Sequence, residues 1–455
     1  MSAQAQEMTL AKVSGRRRFG VDGFDWLCAF VIFVSFILVS YMPASPSKFG
    51  DLYFHSEAQS LAHAILGTGS WSEVTFIRAP APVVYYAIPY LLVRSNSPDK
   101  AYWQAAVAWN ALWMVMAVML IRRAAGLLMD ARAGKIAAGL SLIAPFAVYY
   151  SFGVSAETPA YVAASVFAYG WAKWKGELGA AMWSGSALTA FAGALALILC
   201  RPNTVVVLAF AAAFGVGGWW LRSRRDAETR FAIICAVAVL AVVTVVTLSL
   251  RKLPADRPAG LEQASNFSDV VFFGDFQFRT EPWDWRFWGK ATRTGSVDYQ
   301  NWVDARELLH AEARRTGVMF PRLEMEWSEA DMLHHPLTRL RMFGIRALAL
   351  NIWIENSTAP NAFRLGILKG RFFYFAFHVI LNAIALLPLL GSIWFLVVNR
   401  ARFFSYWPLW GIWLGLLLFH AWTYAEARYM LPGQPGLIIM AACAFSVRRR
   451  RGVAL

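Results

Sequence analysis

The sequence predicts an all-α polytopic membrane protein. Of its 455 residues, 58% are hydrophobic and only 16% are charged, which is too apolar for an ordinary soluble protein. Several uncharged runs also approach or exceed the roughly 20 residues with which a helix crosses a bilayer. These runs include Tyr102–Ile121, Leu178–Cys200, Pro202–Leu221, Phe231–Leu250 and Phe372–Asn399.

The positions of the basic residues predict the direction of each span. Lys and Arg accumulate in the cytoplasmic loops of membrane proteins. The net charge of +15 is therefore assigned to such loops, and nucleic acid is not expected as a partner. Placing Arg16, Arg17 and Arg18 inside directs the first span, Trp26–Met42, outward. The stretch that follows this span then lies outside the cytoplasm.

The short, Pro-rich segment Ala79–Val93 decides the rest of the topology. If it crossed the membrane, the basic cluster from Arg122 to Lys135 would lie outside, against the distribution of positive charge. We therefore predict that it lies along the interface, which makes every short inside loop rich in Lys or Arg. The result is a bundle of about ten transmembrane helices with juxtamembrane helices in the first outer loop.

This topology divides the chain into five segments. Residues 1–25 form a cytoplasmic N-terminus, and residues 26–250 form a transmembrane module whose first outer loop spans 44–101. Residues 251–371 form an extracytoplasmic or interfacial region, residues 372–447 the C-terminal transmembrane helices, and residues 448–455 a basic cytoplasmic tail. The third segment carries the run VVFFGDFQFRTEPWDWRFWGK, which is typical of aromatic side chains at a lipid interface.

Neither a metal centre nor a disulfide framework is predicted. The four cysteines (Cys28, Cys200, Cys235 and Cys443) all lie in or beside apolar spans. The acidic and His-containing run LEMEWSEADMLHHP lacks the spacing of HExxH or Cys/His zinc sites and is more typical of a solvated helix. No cofactor is expected to be required, and dependence on a divalent metal is left open.

Polar side chains of the first outer loop are candidates for a site. Asp51 and His55 are four residues apart, so they could share one face of a helix. Asp51 suits a general base, or alternatively a helix N-terminal carboxylate that interacts with the dipole. Arg78 precedes the aromatic segment that contains Tyr85. Its guanidinium suits a lipid phosphate, or alternatively snorkels to headgroups.

Further polar groups lie at the outer ends of later spans. Glu157 fits either substrate contact or a helix N-terminus. Arg201 interrupts an apolar tract, which marks it as a candidate functional group, although an Arg at a hairpin tip also reaches water. Glu426, Arg428 and Tyr429 combine charge with nearby Pro and Gly, and a Glu–Arg pair within the loop is the alternative. Convergent polar groups at one end of a bundle indicate a pocket.

In order and spacing, these motifs resemble the GT-C fold glycosyltransferase superfamily. The similarity is to the branch that contains protein O-mannosyltransferases and lipid A aminoarabinose transferases. It is carried by GDLYFHSEAQSLAHAILGTGSW, FIRAPAPVVYYAIPYLL, APFAVYYSFGVSAETPAYVAASVFAY, LALILCRPNT and EARYMLPGQPGLIIMAA. Roughly the N-terminal half and the last spans are covered. The resemblance implies a GT-C-like helical bundle.

The resemblance also implies an enzyme of the EC 2.4 class, which moves a sugar from a polyprenyl-phosphate donor to a glycan, lipid or protein acceptor. Asp51 matches the catalytic first-loop acid, and Arg78 stands where a Lys-Pro-Pro motif usually places a lysine for the lipid phosphate. Two departures are Arg-Ala-Pro in place of Lys-Pro-Pro and the absence of an acid adjacent to Asp51. The remaining residues expected to contact substrate or donor are His55, Tyr85, Glu157, Arg201, Glu426, Arg428 and Tyr429.

The implied setting is a bacterial inner membrane, with membrane lipids as partners and the site on the periplasmic side. With Asp51 as base, direct displacement would invert the anomeric configuration. The phosphate leaving group would need charge stabilisation from Arg78, Arg201 and Arg428. A transporter or flippase for lipid-linked sugars, or a non-catalytic subunit of envelope polysaccharide assembly, is the alternative. The nearly uncharged spans, with polar groups at one end, favour the enzyme.

Overall fold

The computed structural model describes residues 21–40, 52–74, 79–93, 100–144, 155–177, 184–201, 204, 213, 268–281, 296–351, 371–425 and 427–447. These ranges are helical, with connecting turns, and no strand occurs in them. The α-helices are α1 (Gly23–Ser40), α2 (Leu52–Ile65), α3 (Pro80–Val93), α4 (Lys100–Leu128), α5 (Ala131–Ile143), α6 (Glu157–Gly176), α7 (Gly185–Cys200), α8 (Val297–Thr316), α9 (Phe320–His334), α10 (Pro336–Asn351), α11 (Arg371–Val398), α12 (Trp407–Trp422) and α13 (Gln434–Val447). The 3₁₀ segments are Trp71–Glu73, Arg400–Tyr406 and Ala427–Gly433.

Two of the described helices are long and apolar enough to cross a membrane. They are Ala101–Leu128 within α4 and Val379–Val398 within α11. The apolar helices Gly23–Ile37, α3 and α7 are shorter. The predicted spans Pro202–Leu221 and Phe231–Leu250 lie outside the described residues. The all-helical fold is therefore confirmed for the described ranges, while the bundle of about ten spans stays a prediction.

Several helices begin or end where a side chain or a glycine satisfies the helix terminus. Asp130 Oδ1 accepts a hydrogen bond of 2.8 Å from the Ala133 amide at the start of α5. Ser184 caps α7 in the same way, and Ser296 caps α8. Gly317 ends α8 in the left-handed conformation, at φ 72°. These local signals define where the helices begin and end.

The helices of the bundle pack around α4, α6 and α13. Residues 437–444 of α13 are all buried, as expected of a helix that is apolar on every side. Trp103, Trp171 and Trp407 are the largest aromatic side chains enclosed in this core. At one end, Arg122 of α4 pairs with Asp22 and Asp25 and so ties α1 to α4.

The hairpin of α6 and α7 is held together by close backbone approach. A Cβ at Gly170 would collide with the backbone of Thr189 and Ala190, and a Cβ at Gly193 would collide with that of Phe167. Only glycine allows the two helices to pack this tightly. Because the helices are antiparallel, the start of α6 and the end of α7 lie at the same end of the hairpin.

Residues 268–281 together with 296–351 form a second packing unit, called here the α8–α10 region. Residues 268–274 are helical and residues 275–278 form a turn. Phe272 in the helix and Phe276 in the turn lie against Trp327 of α9, with ring centroids 5.2 and 4.9 Å away. Phe272, Phe276 and Phe278 are buried inside the protein. The interpretation of this aromatic run as a lipid-interface motif is therefore wrong for these side chains, because all three are buried and Phe272 and Phe276 form a local core.

Candidate functional site

Polar residues from three separate segments meet at one end of the bundle. Glu157 is the first residue of α6, and Arg201 is the C-terminal cap of α7. The α6–α7 hairpin brings them together although they are 44 residues apart in sequence. Arg428 and Tyr429 come from the 3₁₀ segment Ala427–Gly433, which packs beside α6. These residues, named here the Glu157 cluster, were all predicted as site residues.

One carboxylate joins both cations of the cluster. Arg201 Nη2 donates a hydrogen bond to Glu157 Oε1 in a direct ion pair. Arg428 Nε lies 3.8 Å from the same oxygen. The side chains of Glu157 and Arg201 are 4% and 10% exposed, whereas that of Arg428 is 39% exposed. The ion pair is thus buried, the second cation faces outward, and the three groups together carry one net positive charge.

The ring of Tyr429 lies against both guanidiniums. The guanidinium carbon of Arg201 is 4.9 Å from the ring centroid, and that of Arg428 is 5.4 Å away. Both distances suit cation–π attraction. His420 of α12 stacks on the same ring, with centroids 4.4 Å apart and planes inclined by 23°. Tyr429 therefore holds the two cations in a fixed relation to each other and to α12.

One donor of Arg201 has no partner among the described residues. Its Nε atom is buried and makes no hydrogen bond within the part of the chain that the structure describes. A buried polar hydrogen without an acceptor is costly, and such groups commonly receive a ligand or an ordered water. The arrangement can accept an anion that brings oxygen atoms to Arg201 and Arg428.

Residues of α3 and α4 adjoin the cluster. The Tyr85 hydroxyl donates to Asn110 Oδ1 at 2.9 Å, and the amide of Ser155, two residues before Glu157, donates to the Tyr86 hydroxyl at 3.2 Å. Tyr85 also lies beside Trp109 and Trp113 of α4, with centroids 5.9 and 6.1 Å away. The predicted residue Tyr85 thus belongs to an aromatic wall next to the site.

The helical hairpin α2–α3 also packs beside the cluster. Ala58 and Ala62 of α2 share a buried apolar core with Ala156, the residue immediately before Glu157. His55 lies in the first turn of α2, which begins at Leu52. Asp51 directly precedes this helix in sequence but lies outside the described residues, as do Arg78 and Glu426. Their predicted roles stay predictions.

Three residues near the cluster were not anticipated from sequence. Asn110 and His420 are fully or nearly fully buried in apolar helices, and Tyr86 contacts the segment that leads to Glu157. The signal that was available is the presence of an amide and an imidazole inside apolar spans, since polar groups there are rare and commonly functional. In the described ranges, no group of three His, Cys, Asp or Glu side chains is placed to hold a metal ion.

Comparisons with known proteins give structural matches only. No family model and no curated protein sequence matches the chain. The archaeal oligosaccharyltransferase AglB from Archaeoglobus fulgidus, in complex with an inhibitory peptide and a dolichol-phosphate, aligns at TM-score 0.48 and 14% identity over 94% of this chain. The alignment covers 52% of the AglB chain, so the present chain spans about half the length of that protein.

A second matched protein is ArnT from Cupriavidus metallidurans. Its apo structure aligns at TM-score 0.37 and 13% identity, over 91% of this chain and 77% of ArnT. Its structure bound to undecaprenyl phosphate aligns at TM-score 0.36 and 13% identity, over 99% and 79%. The matches to AglB and ArnT described here thus lie at 13–14% sequence identity and at TM-scores of 0.36–0.48.

Proposed function

We propose that this chain is an integral membrane glycosyltransferase. It would move a sugar from a polyprenyl-phosphate donor to an acceptor, in a bacterial inner membrane and on the periplasmic face. The observation that carries the proposal is the Glu157 cluster, in which Arg201 and Arg428 converge on one buried carboxylate at one end of an apolar helical bundle. The carrier lipid is of the class bound in the matched structures, dolichol-phosphate in AglB and undecaprenyl phosphate in ArnT.

The charge and exposure of the cluster suit a phosphate. A guanidinium presents a planar fork of donors that matches the oxygens of a phosphate. Arg428 is the more exposed cation, and Arg201 keeps its Nε donor unused among the described residues. Because the surroundings are largely apolar, the attraction between this net positive charge and a phosphate is less screened than in water.

Glu157 is assigned a positioning role rather than that of a base. Its carboxylate is buried and shared between Arg201 and Arg428. A carboxylate in that setting stabilises both cations and sets their separation. Acceptance of a proton by Glu157 would remove the charge that holds the two guanidiniums together, so the proton from the acceptor must go elsewhere.

Asp51 is the proposed general base. The acceptor hydroxyl or amine would lose its proton to Asp51 while its oxygen or nitrogen forms a bond to the anomeric carbon of the sugar. The bond from that carbon to the phosphate oxygen breaks, and the electron pair leaves with the polyprenyl phosphate. Arg428 and Arg201 would stabilise the departing anion. The packing of α2 beside Ala156 supports this arrangement, because Asp51 immediately precedes α2.

Aromatic side chains would bind the remainder of the donor. Tyr85, Trp109 and Trp113 form a partly exposed wall between α3 and α4. Aromatic faces pack well against isoprenoid chains and against the apolar faces of sugars, and their polar edges provide hydrogen bonds. We place the donor along this wall, with its phosphate at Arg428.

The test is binding of undecaprenyl phosphate by the purified protein in nanodiscs, with undecaprenol as the control lipid that lacks the phosphate. Wild type is expected to bind the phosphate lipid at least about tenfold more tightly, a difference that one charge-assisted contact can supply. Arg428→Gln is expected to lose most of that preference. The matched control Arg315→Gln, at an exposed pair with Glu312, is expected to keep it. Equal binding of both lipids by wild type would overturn the proposal.

A further inference from the structure

The C-terminal end of α12 is held by a buried guanidinium from the α8–α10 region. Arg346 of α10 is 1% exposed. Its Nη1 donates to the carbonyl oxygens of Trp422 and Thr423, at 3.1 and 3.0 Å. Its Nη2 donates to the carbonyl oxygen of Gly274. The last carbonyls of a helix have no partner within the helix and carry partial negative charge, so a cation with several donors satisfies them well.

Two further contacts fasten the residues after α12. Gln277 exchanges a pair of hydrogen bonds with the backbone of Ala425, donating to its oxygen at 2.9 Å and accepting from its amide at 3.0 Å. Gly274 packs so closely on Thr423 that a Cβ would collide with the Thr423 oxygen. Residues 421–425 are thus fixed by side-chain and backbone contacts from one neighbouring unit.

The fixed residues lie at the base of the Glu157 cluster. Arg428 follows Ala425 by three positions, a distance of at most about 11 Å along an extended chain. Tyr424 meets Tyr429 edge to face, with centroids 6.3 Å apart, and His420, in the last turn of α12, stacks on Tyr429. A displacement at 421–425 therefore reaches Arg428 and Tyr429 directly.

We infer that Arg346 and Gln277 are positioning residues for the Glu157 cluster. They determine the positions of Arg428 and Tyr429 relative to Glu157. The α8–α10 region then controls the phosphate site without contacting the ligand. The identity of that ligand rests on the proposed function. The placement of the segment Ala427–Gly433 by Arg346 and Gln277 does not depend on the proposed function. The positioning role and the identity of the ligand can therefore be refuted separately.

The first test is hydrogen–deuterium exchange of the purified protein. Arg346→Lys keeps the positive charge, but its compact ammonium lacks the planar fork of donors with which the guanidinium reaches the carbonyl groups of two segments. We expect amides of residues 427–433 to exchange faster in this variant. The control is Arg339→Lys on the same helix, because Arg339 pairs with Asp275 and Asp331 rather than with the carbonyl groups at the end of α12. Unchanged exchange at 427–433 in Arg346→Lys would overturn the inference.

The second test is a double-mutant cycle on the binding of undecaprenyl phosphate. We expect Arg346→Lys to weaken binding by about tenfold in wild type and by less than about twofold in the Arg428→Gln background. A general loss of structure would weaken both backgrounds equally, and that result would overturn the inference. If Arg346→Lys does not fold, Gln277→Ala enters the same cycle with the same expectation. Failure of wild type to prefer the phosphate lipid would refute the proposed function instead, leaving the exchange result to decide the positioning role.

Discussion

Loss of the Glu157 carboxylate is predicted to destabilise the protein strongly. Glu157→Gln would leave Arg201 buried without its counter-charge, and it would leave Arg428 close to a second cation with nothing between them. Removal of one partner of a buried ion pair costs about 3–5 kcal/mol. We expect about 3 kcal/mol here, because Arg428 is half-exposed and can turn toward water.

The double substitution Glu157→Gln/Arg201→Gln separates the ion pair from the packing of each side chain. With both charges removed, the penalty of an isolated buried charge disappears. The double variant should therefore be less destabilised than the sum of the two single variants, by about 2 kcal/mol. The assay is unfolding by SDS or heat in detergent micelles, monitored by circular dichroism.

The matched control is Arg315→Gln, which breaks an exposed pair with Glu312. Exposed pairs contribute little to stability, so no measurable change is expected. If Glu157→Gln is as mild as this control, the carboxylate is not the buried counter-charge that the structure describes. Strict additivity of the two single variants would also refute the reasoning, since it would show that Glu157 and Arg201 do not interact.

Three further predictions concern packing, pH and the aromatic support of the cluster. Gly193→Ala would force Phe167 and α7 apart and cost about 1–3 kcal/mol of stability in the same unfolding assay. Gly139→Ala is the control and should cause no such loss of stability, because a Cβ at Gly139 meets no atom within 4 Å. Burial raises the pKa of Glu324 from 4.5 to about 7, so the Glu324 carboxyl group keeps its proton to a higher pH in the folded state than in the unfolded chain. The contribution of Glu324 to stability is complete below about pH 4.5 and is lost as the pH rises through 7. The melting temperature of Glu324→Gln should therefore rise relative to that of wild type between pH 5 and pH 8. A difference in melting temperature that stays constant over this range would contradict the prediction. Tyr429→Leu should weaken binding of undecaprenyl phosphate by about two- to fivefold and Tyr429→Phe much less, because only the ring is needed for cation–π attraction; equal losses would contradict this.

The members of the Glu157 cluster could be predicted from sequence, but their pairing could not. A charge that interrupts an apolar tract, as Arg201 does, or stands at a helix end, as Glu157 and Arg428 do, is visible in the sequence. Which cation meets which carboxylate depends on the crossing of α6 and α7, and that crossing depends on close contacts at Gly170 and Gly193. Hydropathy contains no information about these contacts.

The α8–α10 region was predicted least well. Composition distinguishes aromatic from polar residues but does not separate a lipid surface from a small protein core, so Phe272 and Phe276 were assigned to the wrong surroundings. Arg346 resembles an ordinary basic residue of an amphipathic helix in sequence. Its role depends on carbonyl groups at the end of α12, 75 to 77 residues away. Because every residue has a backbone carbonyl group, the sequence does not show which of them accept a hydrogen bond from Arg346.

The start of α12 also could not be predicted from hydropathy. The uncharged run in the sequence extends from Phe403 to Ala425, whereas the α-helix begins at Trp407, after the 3₁₀ segment Arg400–Tyr406. Hydropathy does not distinguish a 3₁₀ turn from an α-helix, so the uncharged residues 403–406 do not reveal where the α-helix begins. The Trp410 indole donates to the Phe403 oxygen at 3.0 Å, a contact that joins the 3₁₀ segment to the helix.

Transfer of sugar by wild type and Asp51→Asn, with binding of the donor followed in parallel, tests the central claim most directly. The donors are radiolabelled polyprenyl-phosphate sugars, presented with membrane-derived acceptors to the purified protein. We predict transfer by wild type, loss of transfer in Asp51→Asn, and unchanged donor binding by both, because the phosphate is held by Arg201 and Arg428. An Asp51→Asn protein that folds and transfers at the wild-type rate would contradict the assignment of the base. Binding without turnover by either protein would contradict the enzyme itself and favour a transporter or a non-catalytic subunit.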